Sequence, residues 1–323
     1  MKRTIGLISL LAALPAFAGA LSEPLVFTGT CDASAVIGLS GDLFVVANDE
    51  DNVLRFYRFS QPGPPVQTYD LRPLFPPQRK SPESDLEAAA QLGNRAFFMS
   101  SHGRNAKGKP APARRRLFAL TLTETNGTIA VQPVGQVYTN LVEDLARDPQ
   151  YLQFDLAAAA SLAPKAPGGF NIEALAATPD GALLIGFRSP IPGHRALLAP
   201  LRNPNAVIAG KPPEFGAPIL LDLGGQGLRD LCATTNGYYL LAGAATSGGN
   251  SRLFRWAGPG TEPQLISEAK FPGSNPEGIC VLDFGTGTDF LIVSDDGTRL
   301  INGQECKRLP EAQRQFRAYR YTP

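Results

Sequence analysis

Histidine is nearly missing from this 323-residue chain, which has only His102 and His194, and no Cys-x-x-Cys or His-x-His spacing occurs. A zinc site is therefore not expected. Cysteine is sparse too, at Cys31, Cys232, Cys280 and Cys306. Neither sign of charge is in excess, with 30 basic side chains against 29 acidic ones, which argues against a nucleic-acid partner or a membrane surface. Beyond residue 20 no apolar run is long enough to span a bilayer.

The one long apolar run opens the chain. Lys2 and Arg3 precede apolar residues from Ile5 onward, and the run ends in two small-x-small triplets, Ala16-Phe17-Ala18 and Ala18-Gly19-Ala20. This reads as a secretory signal over residues 1–20, with export to a bacterial periplasm or beyond. Residues 21–323 then form a single domain, expected to be monomeric. An even number of cysteines in an exported chain predicts disulfides, and four allow three connectivities.

What the chain has in plenty is glycine and proline, 33 and 29 residues, beside 43% hydrophobic residues. That is a turn-rich folded protein built of many short strands. A repeat lies under this composition. Asp32 heads DASAVIGLSGDLFVVAN and Glu87 heads EAAAQLGNRAFFMSS. Glu173 heads EALAATPDGALLIGF, Asp230 heads DLCATTNGYYLLAGA, and Glu277 heads EGICVLDFGTGTDFLIVS. Each acid opens a small-rich strand, a turn and a strongly apolar strand. A third strand follows every time and a fourth in four cases; the fifth unit lacks one, while a spare strand, LVFTGT, precedes the first. This predicts an all-β, five-bladed β-propeller closed by pairing the two chain ends, six blades being the alternative. The surplus between the second and third units, about 139–163, carries apolar residues at helical spacing and predicts a helical insertion.

In such a ring the first strand of each blade lines the channel. Asp32, Glu87, Glu173, Asp230 and Glu277 are then expected around one mouth. The long loops 101–114 and 294–314 and the insertion fall on the same face, which marks it as the functional face. Neighbouring carboxylates about 7 Å apart repel by about 2–3 kcal/mol at an effective dielectric of about 20. Neutralisation has three sources: a hard cation such as Ca2+ bound by the five acids, protonation, or the inward arginines Arg188, Arg229 and Arg104. Asn48, Asp49, Ser101, Ser294 and Asp295 end second strands on that face and are further possible ligands.

In the functional reading a cation polarises a small anionic substrate, a phosphate ester or lactone, with water as nucleophile. Glu87, Glu173, Glu277 and His102 are then the catalytic candidates, Arg188, Arg229 and Arg104 steer the anion, and the insertion acts as a lid. In the structural reading the same acids hold blades together in a non-catalytic propeller that binds a protein or glycan. Cys31 precedes the first inner strand and Cys306 lies in the last blade's long loop on the same face, so a Cys31–Cys306 bridge is expected to clasp the ring. Cys232 and Cys280 are expected as free buried thiols.

At CDASA (31–35), NDEDNVLRFY (48–57), NIEALA (171–176), LRDL (228–231) and VSDDG (293–297) the chain resembles a family of exported bacterial propellers labelled only as a domain of unknown function. That resemblance implies a propeller and no particular activity. A looser similarity to calcium-dependent phytases and nucleotidases implies a calcium-binding, acid-lined channel.

Overall fold

A computed structural model describes residues 19–75, 83–246, 250–283 and 288–323. The first eighteen residues of the expected signal lie outside the described residues. Five antiparallel sheets stand around a common axis. The blades comprise Ala33–Gly38, Leu43–Asn48, Val53–Arg58 and Gln67–Asp70; then Leu86–Leu92, Arg95–Ser100, Leu117–Thr125 and Thr128–Tyr138; then Asn171–Ala177, Leu183–Ser189, Ala196–Leu201 and Ile219–Leu221; then Gly227–Thr234, Gly237–Gly243, Arg252–Trp256 and Gln264–Ile266. The fifth contains Pro276–Asp283, Thr288–Ser294 and Gln315–Thr322.

That last strand takes its outer neighbours from the other end of the chain. Leu25–Thr28 pairs with residues 315–318, and Ala20–Leu21 with 321–322. The inner strands touch in cyclic order, the fifth meeting the first, so the ring closes as expected with five blades.

The core is divided among the five blade-to-blade interfaces. Ala35, Val45 and Phe56 pack with Phe98 and Leu120 between blades one and two, and Leu198 and Leu228 pack with Trp256 between three and four. At the closure Phe27, Phe44, Tyr57 and Phe316 form edge-to-face and stacked pairs with centroids 5.2–5.5 Å apart, a geometry aromatic rings prefer. Small inner-strand residues let the strands crowd the axis. At Gly38 an added Cβ would fall 1.9 Å from the Val281 carbonyl oxygen, so only glycine fits where blade one meets blade five.

The insertion is helical, with α-helices at Leu141–Arg147 and Leu156–Ala159 and a 3-10 turn between them. Leu141, Leu145, Tyr151 and Leu156 are buried against blades two and three. The Tyr151 hydroxyl donates to the Gly216 carbonyl at 2.8 Å, and Arg104 Nε donates to the Ala160 carbonyl at 3.0 Å. The insertion is a fixed wall packed on the ring. Among the described residues no helix is long and apolar enough to cross a membrane. Cys31 and Cys306 form a disulfide with a Cα–Cα distance of 6.0 Å, and Cys232 and Cys280 are free and buried.

Candidate functional site

Every inner strand carries a β-bulge near its start. The register skips one residue at Ser34, Glu87, Glu173, Arg229 and Glu277. A bulge bends the strand and re-aims the extra side chain, and such bulges gather beside functional sites. The positions equivalent by register are therefore three glutamates, a serine and an arginine. This differs from the five-acid ring expected from the repeat: Arg229, not Asp230, holds the fourth position, and Asp32 lies two residues ahead of the first.

A second tier lies two residues before each bulge: Asp32, Asp85, Asn171, Gly227 and Asn275. The pattern acid-or-amide, any residue, then bulge residue is legible in the sequence as Asp-Leu-Glu (85–87), Asn-Ile-Glu (171–173) and Asn-Pro-Glu (275–277).

Three residues of each tier line a cavity of about 320 Å³: Glu87, Glu173 and Glu277 of the first, and Asp32, Asp85 and Asn171 of the second. Of the expected ring Asp32, Glu87, Glu173 and Glu277 line it, as does Arg188; Asp230, Arg229, Arg104 and His102 do not. Asp230 is buried and accepts the backbone N–H of Leu231 and of Ile279, both at 2.7 Å. It thereby ties the inner strand of blade four to that of blade five. Arg104 is held by the insertion and by the Gly108 carbonyl at 3.1 Å. His102 is buried in the left-handed region at φ 56°, and neither ring nitrogen makes a hydrogen bond of ordinary geometry with any described residue. Burial, and then the charge of Arg115, push its pKa down to about 3, the Arg116 backbone opposing only weakly. Asp49 and Asp295, at the ends of second strands, also line the cavity, together with Asp85, Asn171, Arg114, Glu50, Lys165 and Lys307.

The cavity has two electrically different halves. On one side the carboxylates are paired. Arg188 donates to Glu173 at 2.7 Å, and one Arg229 nitrogen donates to Glu173 at 3.1 Å and also to Glu277. Asn275 donates to Glu277 at 2.9 Å and to Asp295 at 3.2 Å. The buried Arg229 keeps its charge: burial works to lower its pKa, and the surrounding carboxylates, Glu173 and Glu277 foremost, outweigh that and raise it. Glu277 is nonetheless pushed up to about 7, chiefly by burial, with Arg229 opposing.

On the other side, among the described residues, acids outnumber cations. Asp85 pairs with Arg114 at 2.9 Å and accepts from the Ser101 hydroxyl, yet burial holds its carboxyl at about 6. Burial also raises Asp32 and Asp295 to about 6, helped by neighbouring carboxylates. Asp49 and Glu87 are pushed well above the ordinary carboxylate range, first by burial and then by the acids around them. Asp49, Asp85 and Glu87 each offer one oxygen, all within 4.8 Å of one another. Among the described residues Asp49 Oδ1, which is buried, has no hydrogen-bond partner, and Glu87 makes no hydrogen bond. Two oxygens bound to one calcium ion at about 2.3–2.6 Å lie at most about 5 Å apart, so the spacing fits a hard cation.

No curated protein matches the chain. Among the solved structures that align along most of its length at low identity are a glutaminyl cyclase from Myxococcus xanthus (10% identity, 94% of this chain and 96% of that one, TM-score 0.48), a gluconolactonase from Xanthomonas campestris (14%, 90% and 84%, 0.38) and a virginiamycin B lyase from Staphylococcus aureus (11%, 94% and 99%, 0.36). Likeness at this level carries nothing about the residues of the cavity. A family model described as "Protein of unknown function (DUF3616)" matches residues 121–297, over half of the chain, and the chain belongs to that family.

Proposed function

We propose that this is an exported hydrolase that depends on a divalent cation, of the calcium type, and acts on a small phosphate ester or lactone at the acid mouth of the propeller. The observation that carries the reading is the trio Asp49, Asp85 and Glu87, three carboxylates within ligating distance of one another. One of their oxygens is buried and has no partner among the described residues. Uncompensated carboxylates so close together are expensive unless a cation or protons intervene. A cation there would supply positive charge to a phosphoryl or carbonyl oxygen. Glu277, with its carboxyl near 7, is matched to proton transfer at neutral pH. It takes one proton from the attacking water as the new bond to phosphorus or carbon forms, and returns it to the oxygen of the bond that breaks.

Calorimetric titration of chelator-treated protein with Ca2+ tests this. Micromolar binding is expected, lost in Glu87→Gln and kept in Arg104→Ala, together with calcium-dependent turnover of 4-nitrophenyl phosphate or a simple lactone. No heat, and no effect of chelator on melting, would overturn it.

A second reading, a non-catalytic module for a protein or glycan, draws support from the Glu173–Arg188–Arg229–Glu277 chain and from Asp230, which brace blades against one another. It expects no turnover in any cation.

A further inference from the structure

Resting on the cation reading above, we infer that the cavity takes a small polyhydroxylated oxyanion, with Lys165 holding its anionic end. The lining excludes most alternatives. Among the described residues it contains no aromatic residue and no Leu, Ile, Val or Met; its apolar members there are Ala106, Ala163 and Pro164. A ligand with an acyl chain or an aryl ring would lose water without gaining apolar contact.

Among the described residues, the cationic side chains at the cavity separate into engaged ones and one that is free. Arg114 is bound to Asp85 at 2.9 Å and to Glu83 at 2.7 Å, Arg188 to Glu173, and Lys307 to Glu50 at 3.2 Å. Lys165 is exposed and makes no hydrogen bond or ion pair with any described residue. Its backbone is nonetheless fixed. The Ala166 N–H donates to the Ala163 carbonyl at 3.0 Å and the Gly169 N–H to the Ala166 carbonyl at 2.9 Å. The loop is so tight that a Cβ on Gly169 would fall 2.2 Å from the Ala163 carbonyl oxygen. The loop that follows the insertion thus presents an uncommitted ammonium, on a fixed backbone, at the edge of an acidic cavity.

The hydroxyl requirement comes from Asn171. It is 5% exposed and lines the cavity. Its amide nitrogen donates to Glu173 at 2.6 Å, which leaves its Oδ1 as a buried acceptor with no partner among the described residues. A buried acceptor left unpaired destabilises the folded chain, and an incoming O–H relieves that cost. One end of the ligand must therefore accept from an ammonium and its body must donate to carbonyl and carboxylate oxygens. Carboxylate and phosphate satisfy the first demand equally.

The test uses the calcium-loaded, full mature chain and four probes titrated by calorimetry: glycerol 3-phosphate, glycerate, propyl phosphate and glycerol. Glycerol 3-phosphate or glycerate, or both, are expected to bind, and which of them does so identifies the oxyanion. Propyl phosphate is expected to bind at least fivefold more weakly than glycerol 3-phosphate, and glycerol to give no heat. Lys165→Gln is expected to weaken oxyanion binding about tenfold with an unchanged calcium affinity. Equal or tighter binding of propyl phosphate, no binding of either hydroxylated anion, or an unaffected Lys165→Gln variant overturns the inference. The calcium titration is read separately. If it alone fails, the cation reading falls, and the same four probes on calcium-free protein decide the oxyanion site.

Discussion

Arg229 occupies the bulge position that the repeat fills with glutamate in three other blades, and this exchange settles the electrostatics of half the cavity. Its guanidinium is buried between two carboxylates. Arg229→Met is expected to destabilise the protein by about 3–5 kcal/mol, the usual result of leaving buried charge uncompensated, measured as the shift in urea midpoint at neutral pH. The loss should shrink near pH 4, where Glu277 is protonated; a loss independent of pH would sink the account. His102 gives a second prediction at this scale. Its pKa is lowered from 6.5 to about 3 in the folded chain, so the unfolded chain binds the proton first. Stability contributed by the neutral ring is whole above pH 6.5 and is lost progressively as pH falls towards 3, about 4–5 kcal/mol in full. Carboxyls raised by burial act in the opposite sense over part of that window, so the measurement is a difference. Stability plotted against pH between 6.5 and 4 should fall less in His102→Asn, whose residue tolerates the left-handed backbone, than in the parent. Parallel curves would refute it.

At the scale of elements, the blades, the insertion and the end-to-end closure were legible, because each rests on a signal the apolar pattern carries: alternating strands, turns, and one stretch at helical spacing. The register inside the inner strands was not. These strands are buried on both faces, so a slip of one or two residues moves no polar group into the core and leaves no trace in the pattern. A bulge adds a residue without changing composition. That is why Asp230 stood in for Arg229 and Asp32 for Ser34. It also explains why Cys232 and Cys280 share a register, each three residues beyond its bulge. The insertion was expected as a lid, and its packing makes it a wall. Tyr151→Phe removes the hydroxyl bonded to Gly216 while keeping the ring between Phe154 and Phe215. The Gly216 carbonyl then lacks that donor, a loss of about 1–2 kcal/mol. Chemical denaturation reads this directly, and an unchanged midpoint would mean the insertion is not anchored there.

For the molecule as a whole, the ring is held shut by non-covalent pairing and by one covalent bond. The pairing is the short ladder of Leu25–Thr28 on the last strand and the aromatic cluster around Phe27. The bond is the Cys31–Cys306 disulfide, which spans 275 residues and removes conformational entropy from the unfolded chain that grows with the logarithm of that span, worth about 5.6 kcal/mol in the chain-entropy account. It also acts locally. Cys31 directly precedes Asp32 and Cys306 directly precedes Lys307, both at the cavity, and the Asp296 N–H donates to the Cys31 carbonyl at 2.9 Å. Replacing both half-cystines with serine is therefore expected to lower the melting temperature by on the order of 10 °C, whereas replacing the free Cys232 and Cys280 should cost far less. Differential scanning calorimetry under oxidising conditions separates the two pairs. If the Cys31→Ser/Cys306→Ser protein melts within about 2 °C of its parent, the strand ladder and aromatic cluster alone close the ring, and the bond has no stabilising part in holding the mouth of the channel together.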